Sequence, residues 1–204
     1  MFGGTFDPIH NAHLQVGRVA LEQLGLEKIL VVPNGRPADA DGEAAGRREH
    51  RFRMAAAAVA GEDRFEVSRI EVDREGISYT IDTIRALQQD YRQGICFIVG
   101  ADCLMRIDRW KEPEAIIASV PLVVAPRAGV PIDAFGQGLF EKASISLLDM
   151  PEVDLSSTAL REKVKRGESI AECVPAAVAA YIEEKGLYRG AARAQVREGG
   201  WDTE

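Results

Sequence analysis

The chain has 204 residues, of which 46% are hydrophobic and 28% are charged, and its formal net charge is −7 at pH 7. This size and composition fit one globular domain with a full core, and the acidic balance argues against nucleic acid as the main partner, because a phosphate backbone is bound by clustered Lys and Arg. No apolar run is long enough to predict a membrane-spanning helix, and no basic segment precedes an apolar one as in a signal peptide.

Apolar segments typical of strands alternate with helical patterns along the chain. Residues 13–24 and 47–60 carry helical periodicity, and each is followed by a glycine that favours a helix end. Between them, 28–33 (KILVVP) is a continuous apolar run that predicts a strand buried on both faces. The other predicted elements are a strand at 64–72, a helix at 80–91, a strand at 95–99, a helix at 112–119, strands at 120–125 and 144–148, and helices at 157–166 and 175–185.

This alternation predicts an α/β fold with a doubly wound, mostly parallel sheet in a single domain. Ligands bind such a sheet at the carboxyl ends of its strands. We expect the domain to cover 1–188, with a mobile loop over 35–47 and a flexible C-terminal tail over 189–204.

The start of the predicted sheet is irregular. Only Met1 and Phe2 precede the pair Gly3-Gly4, and a strand of two residues is too short to form the centre of a sheet. We therefore expect either that the natural start lies upstream or that half of a core element is missing.

The cysteine pattern indicates the compartment. Cys96, Cys103 and Cys173 form no Cys-x-x-Cys pair, so neither a disulfide framework nor a zinc site is expected. A reducing cytoplasm is the expected location.

Residues 3–13 (GGTFDPIHNAH) have the features of a phosphate-binding turn. The pair Gly3-Gly4 allows the backbone to approach an anion closely, and the next two residues can present backbone N–H groups. His10 and His13 are three residues apart and share one face of a helical first turn. Two imidazoles beside a helix N-terminus predict a compact, partly positive site for a polyphosphate.

Residues 154–161 (DLSSTALR) predict a second anion-binding segment. Ser156 and Ser157 are strong candidates for the N-cap of a helix. Thr158 offers a hydroxyl in the first turn, and Arg161 lies three residues further on. Hydroxyls, free N–H groups and a guanidinium at one helix N-terminus form an anion clamp.

These two segments together resemble the HxGH nucleotidyltransferase superfamily, which has a Rossmann-like fold. Further segments resemble one branch of it, the bacterial nicotinate-nucleotide adenylyltransferases. They are 32–34 (VPN), 78–83 (SYTIDT), 97–102 (FIVGAD) with Trp110 downstream, and 174–188, which begins with VP and ends with LY. The six segments occur in order from residue 2 to about 188.

The resemblance implies roles for individual residues. His10, His13 and Arg161 would be catalytic. ATP would be bound by Gly4, Thr5, Phe6, His10, His13, Gly100, Asp102, Ser157, Thr158 and Arg161. Nicotinate mononucleotide would be bound by Asn34, Tyr79, Thr80, Trp110 and Arg127, with Trp110 stacked on the nicotinate ring.

The implied reaction is attack by the phosphate of nicotinate mononucleotide on the α-phosphorus of ATP, which gives nicotinate adenine dinucleotide and pyrophosphate in NAD biosynthesis. Because the attacking group is already an anion, no general base is needed, and catalysis consists of positioning and charge neutralisation. Mg²⁺ would be held mainly by the ATP phosphates, which agrees with the lack of a metal-ligand cluster in the sequence.

Two segments depart from the family's pattern and leave alternatives open. Ala12 replaces the glycine between the histidines, and 36–41 (RPADAD) is acidic where the family often has basic residues. The alternatives are an enzyme like the phosphopantetheine adenylyltransferases and a nucleotide-binding protein without turnover. A dehydrogenase and a P-loop kinase are disfavoured because their glycine motifs are missing. The sequence decides neither nicotinate against nicotinamide mononucleotide nor whether the chain forms a homo-oligomer.

Overall fold

The computed structural model describes residues 1–37, 47–152 and 155–190. Most of the loop predicted over 35–47 and most of the tail predicted over 189–204 therefore lie outside the described residues. Within the described part, no helix is long and apolar enough to cross a membrane.

The described residues form strands and helices in the predicted alternation. The strands are β1 (Phe2–Gly4), β2 (Ile29–Pro33), β3 (Phe65–Val67), β4 (Phe97–Gly100), β5 (Leu122–Ala125) and β6 (Ile145–Leu147). The α-helices are α1 (Asn11–Gln23), α2 (Arg48–Val59), α3 (Thr80–Asp90), α4 (Ala101–Leu104), α5 (Pro113–Ser119), α6 (Ser157–Arg166) and α7 (Ala176–Glu184). Short 3₁₀ helices cover Ile107–Arg109, Ile132–Gly136 and Gly138–Phe140.

All six strands run parallel in the order β3-β2-β1-β4-β5-β6. Successive strand residues point to opposite faces of a sheet, and this sheet follows that rule, since Val31 and Val32 belong to different hydrophobic clusters, as do Ile98 and Val99. Both faces are thus covered by apolar side chains, as in a doubly wound fold. The predicted fold class is confirmed.

The prediction that the first strand is too short for the centre of the sheet is wrong. Gly3 and Gly4 extend β1 and pair with Val32 and Pro33 of β2, while Phe2 pairs with Ile98 of β4. The strand therefore includes the glycines that the motif assigned to the turn, and the phosphate-binding segment begins only at its carboxyl end.

The strand predicted over 64–72 is also shorter than expected. It ends at Val67, and Asp73 donates its backbone N–H to the Arg69 carbonyl at 2.9 Å, which closes a turn. The turn carries Glu71 and Val72 into the interior, where they are 5% and 2% exposed. Burial of these residues, rather than strand pairing, accounts for the apolar pattern there.

Candidate active site at the carboxyl ends of the strands

Four predicted site segments meet at the carboxyl ends of the strands. Thr5 follows β1, Asn34 follows β2, Gly100 ends β4, and Arg127 lies two residues beyond β5. β1 and β4 are neighbours, and the sheet grows outward from them in opposite directions. A crevice for ligands forms outside the strand ends at such a switch point.

The two predicted histidines form one stacked pair at the start of α1. His10 is the N-cap residue and His13 the third helical residue, and their ring centroids are 3.6 Å apart with 22° between the planes. The His10 backbone N–H donates to His13 Nδ1 at 3.2 Å. The neutral His13 ring therefore carries its proton on Nε2, which can donate to a ligand.

The structure contradicts the expectation that these imidazoles make the site partly positive. Burial, reinforced by the nearby Arg127 guanidinium, lowers the pKa of His10 to about 4. Burial, the neighbouring His10 and Arg127 lower the pKa of His13 well below 6.5. Both rings are thus neutral at pH 7, and His10 Nδ1 is buried without a hydrogen-bond partner among the described residues. The positive charge at this end of the sheet comes from arginines instead.

The turn after β1 is held in shape by the Phe6 ring. Phe6 has a positive φ of 50° and is 2% exposed. Its ring packs edge-on against Phe2 and His13, with centroids 5.4 and 4.9 Å away. A Cβ on Gly4 would lie 2.9 Å from this ring, so glycine at position 4 serves packing within the turn, while Thr5 stays exposed.

Asp7 is a buried connection point that sequence reasoning missed. It is 2% exposed. Its Oδ2 accepts from Arg47 Nη2 at 2.9 Å, and its Oδ1 accepts from the Tyr188 hydroxyl at 2.6 Å. Its backbone carbonyl accepts from Arg161 Nη1 at 2.8 Å. The motif contains Asp7, but nothing local in the sequence indicates partners as distant as residues 47, 161 and 188.

The two predicted anion segments touch each other in the fold. Ser156 is the N-cap of α6, since its Oγ accepts from the Ala159 N–H at 3.2 Å. Ser157 Oγ donates to the Pro8 carbonyl at 2.9 Å, so this hydroxyl supports the turn. Arg161 Nη2 donates to Thr158 Oγ1 at 3.3 Å.

The remaining predicted residues lie in the same strand-end region. Arg127 Nη1 donates to the Leu155 carbonyl at 3.0 Å just before α6, and its charge acts on both histidines. Gly100 is the N-cap of α4, where a Cβ would lie 2.8 Å from Asp102 Oδ1. Ala12 is 6% exposed within α1.

The aromatic residues predicted for the second substrate, Tyr79 and Trp110, both pack against the same hydrophobic cluster. Tyr79 is the N-cap of α3 and Thr80 its first residue. Lys111 Nζ lies 4.7 Å from the Tyr79 ring centroid, and the adjacent Trp110 ring lies 6.2 Å from that of Phe97. Lys111 was not predicted.

Asn34 begins a short loop after β2, and two buried charged residues that sequence reasoning missed flank it. Arg51 is 0% exposed, and Glu71 is 5% exposed. A signal for Arg51 exists, because it shares the buried face of α2 with Met54, Ala55 and Ala58, and an arginine at a core position needs an internal partner.

Comparison with known proteins places these features in a family. A model described as "Cytidylyltransferase-like" matches residues 1–163. A protein of Clostridium tetani is 39% identical over 93% of this chain and 98% of its own length, and one of Thermus thermophilus is 41% identical over 93% and 98%. Both are named "Probable nicotinate-nucleotide adenylyltransferase". The structure of Plasmodium falciparum nicotinic acid mononucleotide adenylyltransferase complexed with NaAD has the same fold, with a TM-score of 0.77 at 20% identity over 92% of this chain and 95% of that chain.

Proposed function

The chain belongs to the cytidylyltransferase-like family and, within it, to the nicotinate-nucleotide adenylyltransferases, and from this we propose that it transfers AMP from ATP to nicotinate mononucleotide, releasing pyrophosphate and forming nicotinate adenine dinucleotide for NAD biosynthesis. One observation carries the proposal. Ser157 and Arg161 of α6 bond to the carbonyls of Pro8 and Asp7 at 2.9 and 2.8 Å. These contacts connect residues 3–13 with residues 154–161 and support the proposal that the two segments form one anion site.

In this proposal the histidines are neutral hydrogen-bond donors to the ATP phosphates. His13 offers its Nε2–H, because its Nδ1 is already engaged by the backbone of His10. A neutral donor held in place by packing stabilises negative charge without reorganising during the reaction. The buried His10 Nδ1 lacks a partner among the described residues and is the second group that a phosphate oxygen or its bound water would meet.

Charge neutralisation falls to Arg161 and, at the phosphate of the second substrate, to Arg127. A guanidinium matches the oxygens of a phosphate better than an ammonium does. Gly4, Thr5 and Phe6 would contribute backbone contacts, and Thr158 and Ser157 would complete the clamp at the β- and γ-phosphates. Gly100 and Asp102 would lie beside the adenosine ribose.

The second substrate would occupy the crevice next to β2 and α3. Asn34, Tyr79 and Thr80 would line it, and the Trp110 indole would stack on the nicotinate ring, which suits a flat aromatic face. The phosphate of this substrate needs no base to become a nucleophile. Rate enhancement would therefore come from alignment with the α-phosphorus and from the surrounding charges.

Magnesium fits this site as an ion carried by ATP. Among residues 1–37, 47–152 and 155–190, no group of three or more His, Cys, Asp or Glu side chains could hold a metal, and the one carboxylate of the turn, Asp7, already accepts from Arg47 and Tyr188. We therefore assign no residue of this chain as a ligand. Mg²⁺ on the ATP phosphates would supply charge neutralisation there. We also infer a cytoplasmic location, in keeping with the free thiols of Cys96, Cys103 and Cys173.

The experiment is measurement of pyrophosphate released from ATP and Mg²⁺ with three acceptors in parallel: nicotinate mononucleotide, nicotinamide mononucleotide and phosphopantetheine. We expect release with nicotinate mononucleotide. Release with phosphopantetheine alone, or ATP binding without release, would refute the proposal. His13→Ala should lower turnover by about 10²–10³-fold, as does loss of a preorganised donor elsewhere. The control is His50→Ala, since His50 lies in α2 with its Nδ1 2.9 Å from the Tyr181 hydroxyl of α7.

A further inference from the structure

The loop that carries Asn34 is fixed through its backbone. We call residues 34–36 the Asn34 loop. The Asn34 N–H donates to the Gly4 carbonyl at 2.9 Å. The Ser78 N–H donates to the Arg36 carbonyl at 2.8 Å, and the Arg36 N–H donates to Ser78 Oγ at 3.2 Å. The loop is therefore tied to β1 on one side and to the segment before α3 on the other.

Arg51, from the buried face of α2, bonds to the same loop on the interior side. Its Nε and Nη2 donate to the Asn34 carbonyl at 3.1 and 2.8 Å, and Nη2 also donates to the Gly35 carbonyl at 2.6 Å. The guanidinium is fully buried, so these bonds form away from competing water. A planar fork of donors is the group that can serve two adjacent carbonyls at once.

Glu71 closes the opposite side of the loop. Its Oε1 accepts from Thr83 Oγ1 at 2.8 Å. Burial raises the pKa of Glu71, and hydrogen bonds from Thr83, the Gly35 backbone and Ser78 partly offset that effect. The Glu71 backbone also packs against the loop, because a Cβ added to Gly35 would lie only 2.0 Å from the Glu71 carbonyl oxygen. The loop is thus enclosed between two buried charged residues.

The Asn34 side chain is the exception in this fully bonded segment. Its Oδ1 is buried without a hydrogen-bond partner among the described residues, although the backbone N–H and C=O of Asn34 are both bonded. A buried polar atom without a partner requires an explanation, such as a ligand that completes it. The rigid backbone keeps this amide at the strand end, where the second substrate is proposed to bind.

We propose that Arg51 is a positioning residue: it holds the Asn34 loop so that the Asn34 amide meets the pyridine nucleotide, and it thereby sets the affinity for that substrate and leaves the ATP site unaffected. This inference rests on the proposed function for the identity of the substrate. It assigns a role to a side chain that does not itself reach the substrate.

The first test is a kinetic comparison of Arg51→Lys with Arg53→Lys. Arg53 lies on the same helix, with its side chain 56% exposed, and is the matched control. Lysine at position 51 keeps the positive charge but lacks the planar guanidinium, whose two nitrogens donate to adjacent carbonyls. We expect the KM for nicotinate mononucleotide to rise about tenfold in Arg51→Lys, with kcat and the KM for ATP within about twofold of the unmodified chain. Equal rises in both KM values, or none, would overturn the proposal.

The second test asks whether Arg51 acts through Asn34. If it does, the double variant Asn34→Ala/Arg51→Lys has the same KM for nicotinate mononucleotide as Asn34→Ala alone, because the two changes disable one contact. If the double variant instead raises the KM by the product of the two single increases, Arg51 acts through a contact other than Asn34. Should Arg51→Lys fail to fold, Ser78→Ala removes the hydroxyl that accepts from the Arg36 N–H while it leaves Arg51 in place, and it must raise the same KM.

A third measurement is independent of turnover. Amide hydrogen exchange at Gly35 and Arg36 should be about tenfold faster in Arg51→Lys than in Arg53→Lys, while exchange in β4 stays unchanged. Unchanged exchange at the loop would overturn the positioning role. An unmodified chain without pyrophosphate release would refute the proposed function instead, so the two failures are distinguishable.

Discussion

The depressed pKa of His10 predicts how the stability of the fold depends on pH. In the folded chain this imidazole binds its proton only near pH 4, whereas the ordinary value is 6.5. Between these values the unfolded chain binds more protons than the folded one, so stability is fully present above pH 6.5 and falls as the pH falls towards 4. One pKa unit corresponds to about 1.36 kcal/mol. A shift from 6.5 to about 4 therefore costs the fold about 3 kcal/mol at the acid end of this window.

The perturbation that isolates this effect is His10→Asn. Asparagine remains a good N-cap for α1 but does not titrate. Urea unfolding, followed by circular dichroism from pH 7 to pH 4, should show that the acid-induced loss of unfolding free energy is about 3 kcal/mol smaller in the variant. His13 contributes in the same direction and remains, so some pH dependence persists.

Two results would refute this reasoning. Parallel stability curves for the unmodified chain and His10→Asn between pH 7 and pH 4 would mean that His10 does not titrate differently in the two states. An NMR titration that gives the His10 ring in the folded chain a pKa at or above 6.5 would contradict the burial argument directly. His50→Asn, measured alongside, shows what loss of a histidine outside the pair does.

Three further predictions concern the loop and turn that support the site. Gly35→Ala forces the loop about 1 Å away from the Glu71 carbonyl, since the added Cβ would lie 2.0 Å from its oxygen and such contacts below 3.0 Å do not occur. The free energy of unfolding should therefore fall by about 2 kcal/mol. An unchanged melting temperature would contradict this prediction. Asp7→Asn removes the buried charge that accepts from Arg47 and Tyr188, so urea unfolding should report a loss of about 3 kcal/mol. Tyr188→Phe deletes the hydroxyl that donates to Asp7 and, at 3.7 Å, to Met54 Sδ, and it should cost about 2 kcal/mol. A loss as large as that of Asp7→Asn would mean that Arg47 adds nothing.

The sequence predicted the fold well where local signals and tertiary contacts agree. Helix α6 begins and ends at the predicted residues, because Ser156 caps it and Gly167 adopts the left-handed conformation at its end. The strand predicted over 64–72 was wrong beyond Val67, since a buried turn and a buried strand show the same apolar residues. The centrality of β1 could not be predicted from three residues, because it depends on neighbours contributed by residues 29–33 and 97–100.

The candidate site was predictable as a set of segments, and comparison with relatives confirmed the family that the segments resemble. Its internal connections were not predictable. The histidine pair was predicted to carry partial positive charge, whereas burial and the proximity of Arg127, which arise only in the folded chain, lower both pKa values and leave the rings neutral. Asp7 and Arg51 were missed for a related reason, since their partners are set by folding and not by spacing.

The hydrogen bond between Tyr188 and Asp7 determines when the turn can be completed in the nascent chain during translation. It joins positions 181 residues apart, and Arg161 reaches the same turn across 154 residues. Synthesis runs from the amino end to the carboxyl end, so the turn leaves the ribosome before Arg161 and Tyr188, two of the residues that bond to Asp7, have been made. A chain made only as far as residue 160 therefore has both histidines but lacks the contacts of Arg161 and Tyr188 to Asp7, which form only after translation has passed residue 188.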